Sequence, residues 1–339
     1  MASTDIQQQI RKGSEVGGKT YAFNESHPPD RPAQMWFQQS DEGLILFVVF
    51  FTQACRWSRC LGCNLPSTGS IRHVDYRSLI AQIDHLFDDA QVASRSADIR
   101  KLIVSNNGSI LDEGTFSSTA LIYLMARVNL NLPKLSTISI ETRLEYVELS
   151  ELEFLARAIR EGDTPTALEL AVGFEAFDDR IRNQVFQKGL DLSVFERFIE
   201  NVAPYGFRVK TYFMQKPVPH MSDEAAVADI HQAIDYLAVM ARRFGVTINL
   251  HLNPTYVARG TPLEEAFRSG DYSPPRLRDV ARAALRAEDQ PIDVFLGLYD
   301  EGLAVAGGSF VRSGDQGLVD VLEKFNQTQD YRILRSLVD

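Results

Sequence analysis

From residue 44 onward, short apolar runs alternate with longer amphipathic stretches of helical period. The runs predict strands over 44–52, 100–105, 136–141, 167–173, 207–213 and 246–252, and the helical patterns fall between them, over 75–92, 115–130, 148–160, 192–204 and 222–244. Asp75 and Ser222 stand where N-caps belong, because a short polar side chain there accepts from a free amide of the first turn. Strands alternating with helices imply parallel pairing through right-handed crossovers. Six such units are too few for a closed eightfold barrel. The fold class is therefore α/β, with a partial (β/α)6 barrel or a doubly wound sheet as its form, and the partial barrel is the reading adopted. The polar residues 1–42, with the turn-rich His27-Pro-Pro-Asp-Arg-Pro32, form an N-terminal extension in this reading. Residues 43–255 form the barrel core. Residues 256–339 form a C-terminal cap with a strand over 292–299 and a last helix over 317–326.

In either architecture reactive groups gather at the C-terminal ends of the strands. Those ends carry Cys55, Asn106-Asn-Gly-Ser109, Glu141-Thr-Arg143, Glu175, Lys216 and Asn253, whereas the helix-to-strand junctions are plain. His251 and Asn253 are two apart on one strand and share a face.

Charge narrows the partners. The net charge of −10 supplies no long-range attraction to DNA or RNA. The longest apolar run, Leu44–Phe51, is far short of the roughly 20 residues that span a bilayer. The first residues lack a basic segment followed by an apolar one. A soluble, cytoplasmic protein without membrane or DNA contacts is expected.

The candidate chemistry lies in Cys55-Arg-Trp-Ser-Arg-Cys60-Leu-Gly-Cys63, a C-x4-C-x2-C run that holds every cysteine of the chain. An odd number packed so tightly makes a poor disulfide framework. Thiolates are soft ligands that suit zinc or iron–sulfur clusters. Structural zinc takes four ligands; the nearest further candidate, His73, has no companion. A plant-type ferredoxin adds a distant fourth cysteine to this run, and none exists here. Three thiolates on a four-iron cubane leave one iron open to a substrate or cofactor. A zinc-stabilised α/β binding protein without catalytic activity is the alternative.

Three cysteines just after the first strand resemble the radical S-adenosylmethionine superfamily, whose commonest spacing is one residue shorter. The resemblance covers roughly residues 44–280. It implies a 4Fe–4S cluster on Cys55, Cys60 and Cys63, with S-adenosylmethionine on the fourth iron, cleaved by one electron to a 5′-deoxyadenosyl radical. Asn106-Asn-Gly-Ser109 stands where the superfamily has a Gly-Gly-Glu-like turn on the methionine amino group, which implies cofactor contacts at Asn107, Gly108 and Ser109. Ile140-Glu-Thr-Arg143 looks like the Glu-x-Arg segment of the branch with the elongator catalytic subunit and the tRNA methylthiotransferases, which brings Glu141 and Arg143 to ribose and carboxylate. Val172-Gly-Phe-Glu-Ala176 looks like that branch's Gly-Leu-Glu-Ser segment. Phe213-Met-Gln-Lys-Pro217, Asn253-Pro-Thr-Tyr-Val-Ala-Arg-Gly-Thr261 and Gly270-Asp-Tyr-Ser-Pro-Pro275 resemble the archaeosine-synthase subgroup, which resolves a lysine-bearing deazaguanine in tRNA.

With no cysteine to spare in this sequence, an all-cysteine auxiliary cluster is not expected, and the absence argues against a cysteine-based thiyl relay. Direct hydrogen abstraction from a polar small-molecule or nucleoside-like substrate is expected, with flavodoxin or ferredoxin as electron donor. The charge favours a small substrate over tRNA; tRNA modification by archaeosine-type C–N cleavage is the alternative. Catalytic roles fall to Glu175, which needs Lys188 or Arg143 as a counter-charge if buried, to Lys216 as an anion ligand, and to Tyr256 as a hydrogen donor. His251 and Asn253 are expected to meet the adenine or the substrate. Trp57 is expected to shield the cluster.

Overall fold

The expected alternation is present and continues past both ends of the expected core. The computed structural model describes residues 3–338. It begins with α1 (Ser3–Val16), β1 (Gln34–Ser40), β2 (Gly43–Val49), α2 (Tyr76–Asp88) and α3 (Ala90–Arg95). Next come β3 (Ile99–Ser105), α4 (Ser118–Asn131), β4 (Thr137–Thr142), α5 (Leu149–Ile159), β5 (Ala167–Glu175), α6 (Leu192–Val202), β6 (Arg208–Gln215), α7 (Asp223–Phe244) and β7 (Ile248–Pro254). The chain ends with α8 (Pro262–Ser269), α9 (Leu277–Ala284), β8 (Asp293–Leu296), α10 (Gln316–Thr328) and α11 (Tyr331–Val338). One sheet holds all eight strands in sequence order. β1 is antiparallel to β2, and β2 to β8 run parallel. This is an open, partial (β/α) barrel.

The capping expectations hold. The Asp75 carboxylate accepts from the amides of Arg77 and Ser78, and the Ser222 hydroxyl from that of Ala225. The single helix expected over 75–92 is broken at Asp89, whose carboxylate caps α3. The sheet holds two strands beyond the six expected for the core, one unexpected and one expected over 292–299 as part of the cap. β1 falls in the N-terminal extension, where Gln34-Met-Trp-Phe-Gln-Gln-Ser40 is too polar to read as a strand. β8 falls in the C-terminal cap, where four residues end a long two-helix crossover. Both are hydrogen-bonded members of the barrel sheet.

Each inner strand alternates. Leu46, Val48, Leu102, Val104, Ile138, Ile140, Leu168, Leu170, Val209, Leu250 and Leu252 pack outward against the helices in one core. Each such side chain contributes roughly 1.5–3 kcal/mol when fully buried. The alternate positions face the concave side, and on β3 to β7 they include the polar Lys101, Glu141, Glu169, Lys210, Tyr212, Asn249 and His251. Near the N-terminal ends of the strands, Lys101 Nζ donates to Glu169 Oε2 at 2.9 Å and to Glu42 Oε2 at 2.8 Å. Lys210 Nζ and Arg208 Nε each lie 3.7 Å from the Glu169 carboxylate. Further along, the His251 ring sits 4.8 Å from that of Tyr212 and 4.9 Å from that of Phe295.

The sheet does not close on itself, so its edges need partners. α10 packs against both β1 and β8. Its buried Asn326 pairs twice with Leu296, accepting from the amide and donating to the carbonyl at 2.8 Å each. The Asn326 carbonyl accepts from Asp41, next to β1. Among the described residues no helix is long and apolar enough to cross a membrane.

Candidate functional site

The cysteine loop leaves β2 at the C-terminal mouth of the barrel, and α2 returns to pin its start. The Phe51 amide donates to Gln82 Oε1, and Gln82 Nε2 donates to the Phe51 carbonyl, both at 2.8 Å. The two arms of the loop then zip together through Ala54 N to Ser70 O and Ser70 N to Thr52 O. Between them, Cys63 N donates to Cys60 O at 3.1 Å, which turns the second and third cysteines back on each other.

Neighbouring loops hold this segment from several sides. Arg56 forks onto Asp112, after β3, with Nε donating to Oδ2 at 2.6 Å. Trp57 Nε1 donates to Gln187 O at 2.7 Å, and Leu61 N donates to Phe186 O, both after β5. Asn64 Nδ2 donates to the carbonyls of Arg259 and Leu303, after β7 and β8. The turn after β3 comes closest: a Cβ at Gly108 would lie 3.2 Å from Cys55 Cα, tighter than ordinary packing.

All three thiols are half-buried. Burial pushes the Cys60 thiol up, while Lys188 and Arg143 pull it down. Burial pushes Cys63 up to about 12, helped by Cys60 and opposed by Lys19. A metal offsets such a cost by holding the thiol deprotonated. Lys188 and Arg143 are held in place. Gly173 leaves the space in which Lys188 Nζ meets Glu175 Oε1 at 2.8 Å. The loop carrying Lys188 starts with a π-helical turn over Arg180–Val185. It is fastened by buried Arg182, which donates to the carbonyls of Leu190, Phe177 and Ala176. The Arg143 guanidinium lies 4.4 Å above the Trp57 ring and donates to Glu145 and to the Lys188 carbonyl.

A three-thiol donor set flanked by cations fits an anionic iron–sulfur cluster. Among the described residues no three His, Cys, Asp or Glu groups converge to hold a single metal ion, and His73 is exposed. Thiolates on a cubane bind separate irons, so the cysteines of such a cluster need not converge on one point.

The other expected site residues divide into three groups. Glu175, Arg143 and Gly108 lie at the cysteine loop. Glu141, His251 and Asn253 lie on the concave face. Tyr212 OH donates to Glu141 Oε1 at 2.5 Å, and burial pushes the Glu141 carboxyl up. His251 Nδ1 is buried without a partner, and burial, then Lys210 and Lys101, hold the ring well below its usual value. Gly297 makes room for both polar groups of β7, since a Cβ there would lie 2.6 Å from His251 Nε2 and would collide with Asn253 Oδ1. The third group is already engaged by other protein groups. The Ser109 hydroxyl bonds Thr142 Oγ1 at 2.7 Å and accepts from the Arg143 amide. Asn107 Nδ2 donates to Thr68 Oγ1 at 2.7 Å. Lys216 Nζ pairs with Asp223 Oδ1 at 2.6 Å, and the Lys216 carbonyl accepts from Tyr272 OH.

Tyr256 has a companion that has no sequence signal, Glu301 on the loop after β8. Burial pushes the Glu301 carboxyl up to about 7, with the Tyr256 hydroxyl opposing and Asp300 adding to the shift. The folded state therefore holds this proton more tightly than the unfolded chain. Its contribution to stability is complete below about pH 4.5 and is lost as pH rises through about 7. Urea midpoints at pH 5 and 8 are expected to show wild type losing roughly 2 kcal/mol that Glu301→Gln retains; equal pH dependence in both would contradict the assignment.

No protein-family model matches the chain. It is 27% identical over 270 residues to archaeosine synthase subunit beta of Methanosarcina acetivorans, covering 77% of this chain and 73% of that one. The Thermococcus kodakarensis protein of the same name is 21% identical over 304 residues, covering 87% and 88%. Among solved structures, Elp3 of Methanocaldococcus infernus overlaps 74% of this chain and 58% of its own, with a TM-score of 0.48 and 16% identity. The cysteine loop at the mouth of a partial barrel and these sequence relatives support the resemblance to the radical S-adenosylmethionine superfamily.

Proposed function

We propose that Cys55, Cys60 and Cys63 hold a 4Fe–4S cluster whose fourth iron is left for S-adenosylmethionine, and that the enzyme abstracts hydrogen from a nucleoside-like polar substrate. The bound pair supplies a 5′-deoxyadenosyl radical through one-electron cleavage of the sulfonium. The observation that carries the proposal is the set of three half-buried thiols on one tethered loop, with Lys188 and Arg143 beside them.

The chain's own residues divide the remaining work. Lys188 and Arg143 balance thiolate charge, and Glu175 keeps Lys188 in place. The backbone of Gly108 lies against Cys55, where a methionine amino group would meet the turn. The Ser109 hydroxyl itself serves to join the ends of β3 and β4. Glu141, His251 and Asn253 give the concave wall its hydrogen-bonding groups. Lys216, steadied by Asp223, offers a fixed positive charge to an anionic substrate group. Tyr256 keeps its phenolic proton, because burial and then Glu301 push its ionisation far up, and it remains able to give a hydrogen atom to a substrate radical.

The relatives named archaeosine synthase subunit beta support a nucleoside-type substrate and a partner subunit. The net charge of −10 supports leaving RNA contact to that partner. Flavodoxin or ferredoxin is the proposed electron donor. The test is anaerobic reconstitution followed by iron and sulfide analysis and equilibrium dialysis with S-adenosylmethionine. About four irons and four sulfides per chain, with saturable binding that disappears in the iron-free protein, are expected. A colourless protein that retains zinc would sink the proposal.

A further inference from the structure

We propose that α1 and the turn that ends it clamp the cysteine loop, and that Lys19 is a positioning residue that raises the reduction potential of the cluster; this rests on the cluster reading above. The stripe Ile6, Ile10, Gly13, Gly17 runs along one side of α1 and its first residue beyond, at helical spacing. Ile6 and Ile10 pack with Ala54 and Ile71, on the two arms of the loop. The glycines meet the cysteine segment itself. A Cβ at Gly13 would collide with the Trp57 carbonyl oxygen, and one at Gly17 would lie 2.8 Å from Arg59 Cα. Glycine is needed here because the helix backbone lies directly on the loop backbone.

The helix ends so as to aim one side chain. Gly18 is left-handed, at φ +63°, and Lys19 N donates back to Ser14 O at 2.9 Å, a glycine-terminated C-cap. The ammonium of Lys19 then donates to Cys60 O at 2.5 Å and to Leu61 O at 2.8 Å. Beyond it, Thr20 N donates to Gly260 O, which fixes the outgoing chain. Lys19 has no carboxylate partner among the ion pairs of the described residues. A cation committed to the backbone between two cluster ligands stabilises the added electron, because net charge around a cluster sets its potential.

The test is a potentiometric titration of the reconstituted full chain, followed by electron paramagnetic resonance. Lys19→Met should cut the ratio of reduced to oxidised cluster at fixed poise about tenfold, a fall of ~59 mV, while Lys19→Arg stays near wild type. The clamp is read separately without iron. In Gly17→Leu, amide exchange over residues 55–63 should quicken at least about tenfold. A cluster whose potential ignores Lys19→Met overturns the charge role, and unchanged exchange in Gly17→Leu overturns the clamp. A wild type that assembles no cluster overturns the proposed function and the charge role with it.

Discussion

Cys60→Ala is expected to give a folded, colourless protein that makes no 5′-deoxyadenosine. Iron should fall from about four per chain to under one, since a cubane with two protein ligands on this loop is poorly held. The fold should survive. Arg56 on Asp112, Trp57 on Gln187 and Asn64 on the loops after β7 and β8 hold the segment without the thiol. Removing a half-buried sulfur costs about 1 kcal/mol, the ordinary scale for a point change. Iron analysis and circular dichroism on one preparation check both halves. A variant that keeps a full cluster would mean that a group other than Cys60 is the ligand.

Glu169→Gln is expected to be the most damaging substitution away from the mouth, costing roughly 3–5 kcal/mol, as when one partner of a buried ion network is removed. Glu169 is 1% exposed and answers Lys101, Lys210 and Arg208 at once. Without it, Lys210 stays buried with no close anion, and burial, then repulsion by Lys101, already holds Lys210 down to about 8. Burial works against the Glu169 charge, but Lys101, Lys210 and Arg208 outweigh it and hold the carboxyl down to about 2. A depressed carboxyl stabilises the fold above its unfolded value, near 4.5, and that stability is lost as pH falls from there toward about 2. Urea unfolding should show wild type losing about 3 kcal/mol over that window and the variant losing far less. A loss under ~1 kcal/mol on substitution would mean that water, not the lysines, solvates this carboxylate.

The inner strands were legible because outward positions are mainly apolar. Ile248-Asn-Leu-His-Leu252 and Leu168-Glu-Leu170 show the period of two without help from tertiary structure. The cysteine loop was legible because its three cysteines are local in sequence. Groups whose meaning comes from a partner elsewhere were not. Ser109 and Lys216 read as free site residues, but Thr142 and Asp223 arrive from other elements and engage them. Glu301 and Lys19 sit in turns, where no periodicity marks a residue. α1 was hidden for a packing reason: half of its docking stripe is glycine, so the side that lies closest to the cysteines carries little apolar signal. β1 was hidden by its polarity, whereas β8 was legible as a strand over 292–299 and only its place in the barrel sheet was not.

The most direct measurement is mass-spectrometric detection of 5′-deoxyadenosine from the anaerobically reconstituted full chain given S-adenosylmethionine and a strong one-electron reductant. The account predicts the product in wild type and none in Cys60→Ala. A wild type that carries the cluster, binds S-adenosylmethionine and still forms no 5′-deoxyadenosine, with the candidate nucleoside substrate and partner subunit present, would contradict it.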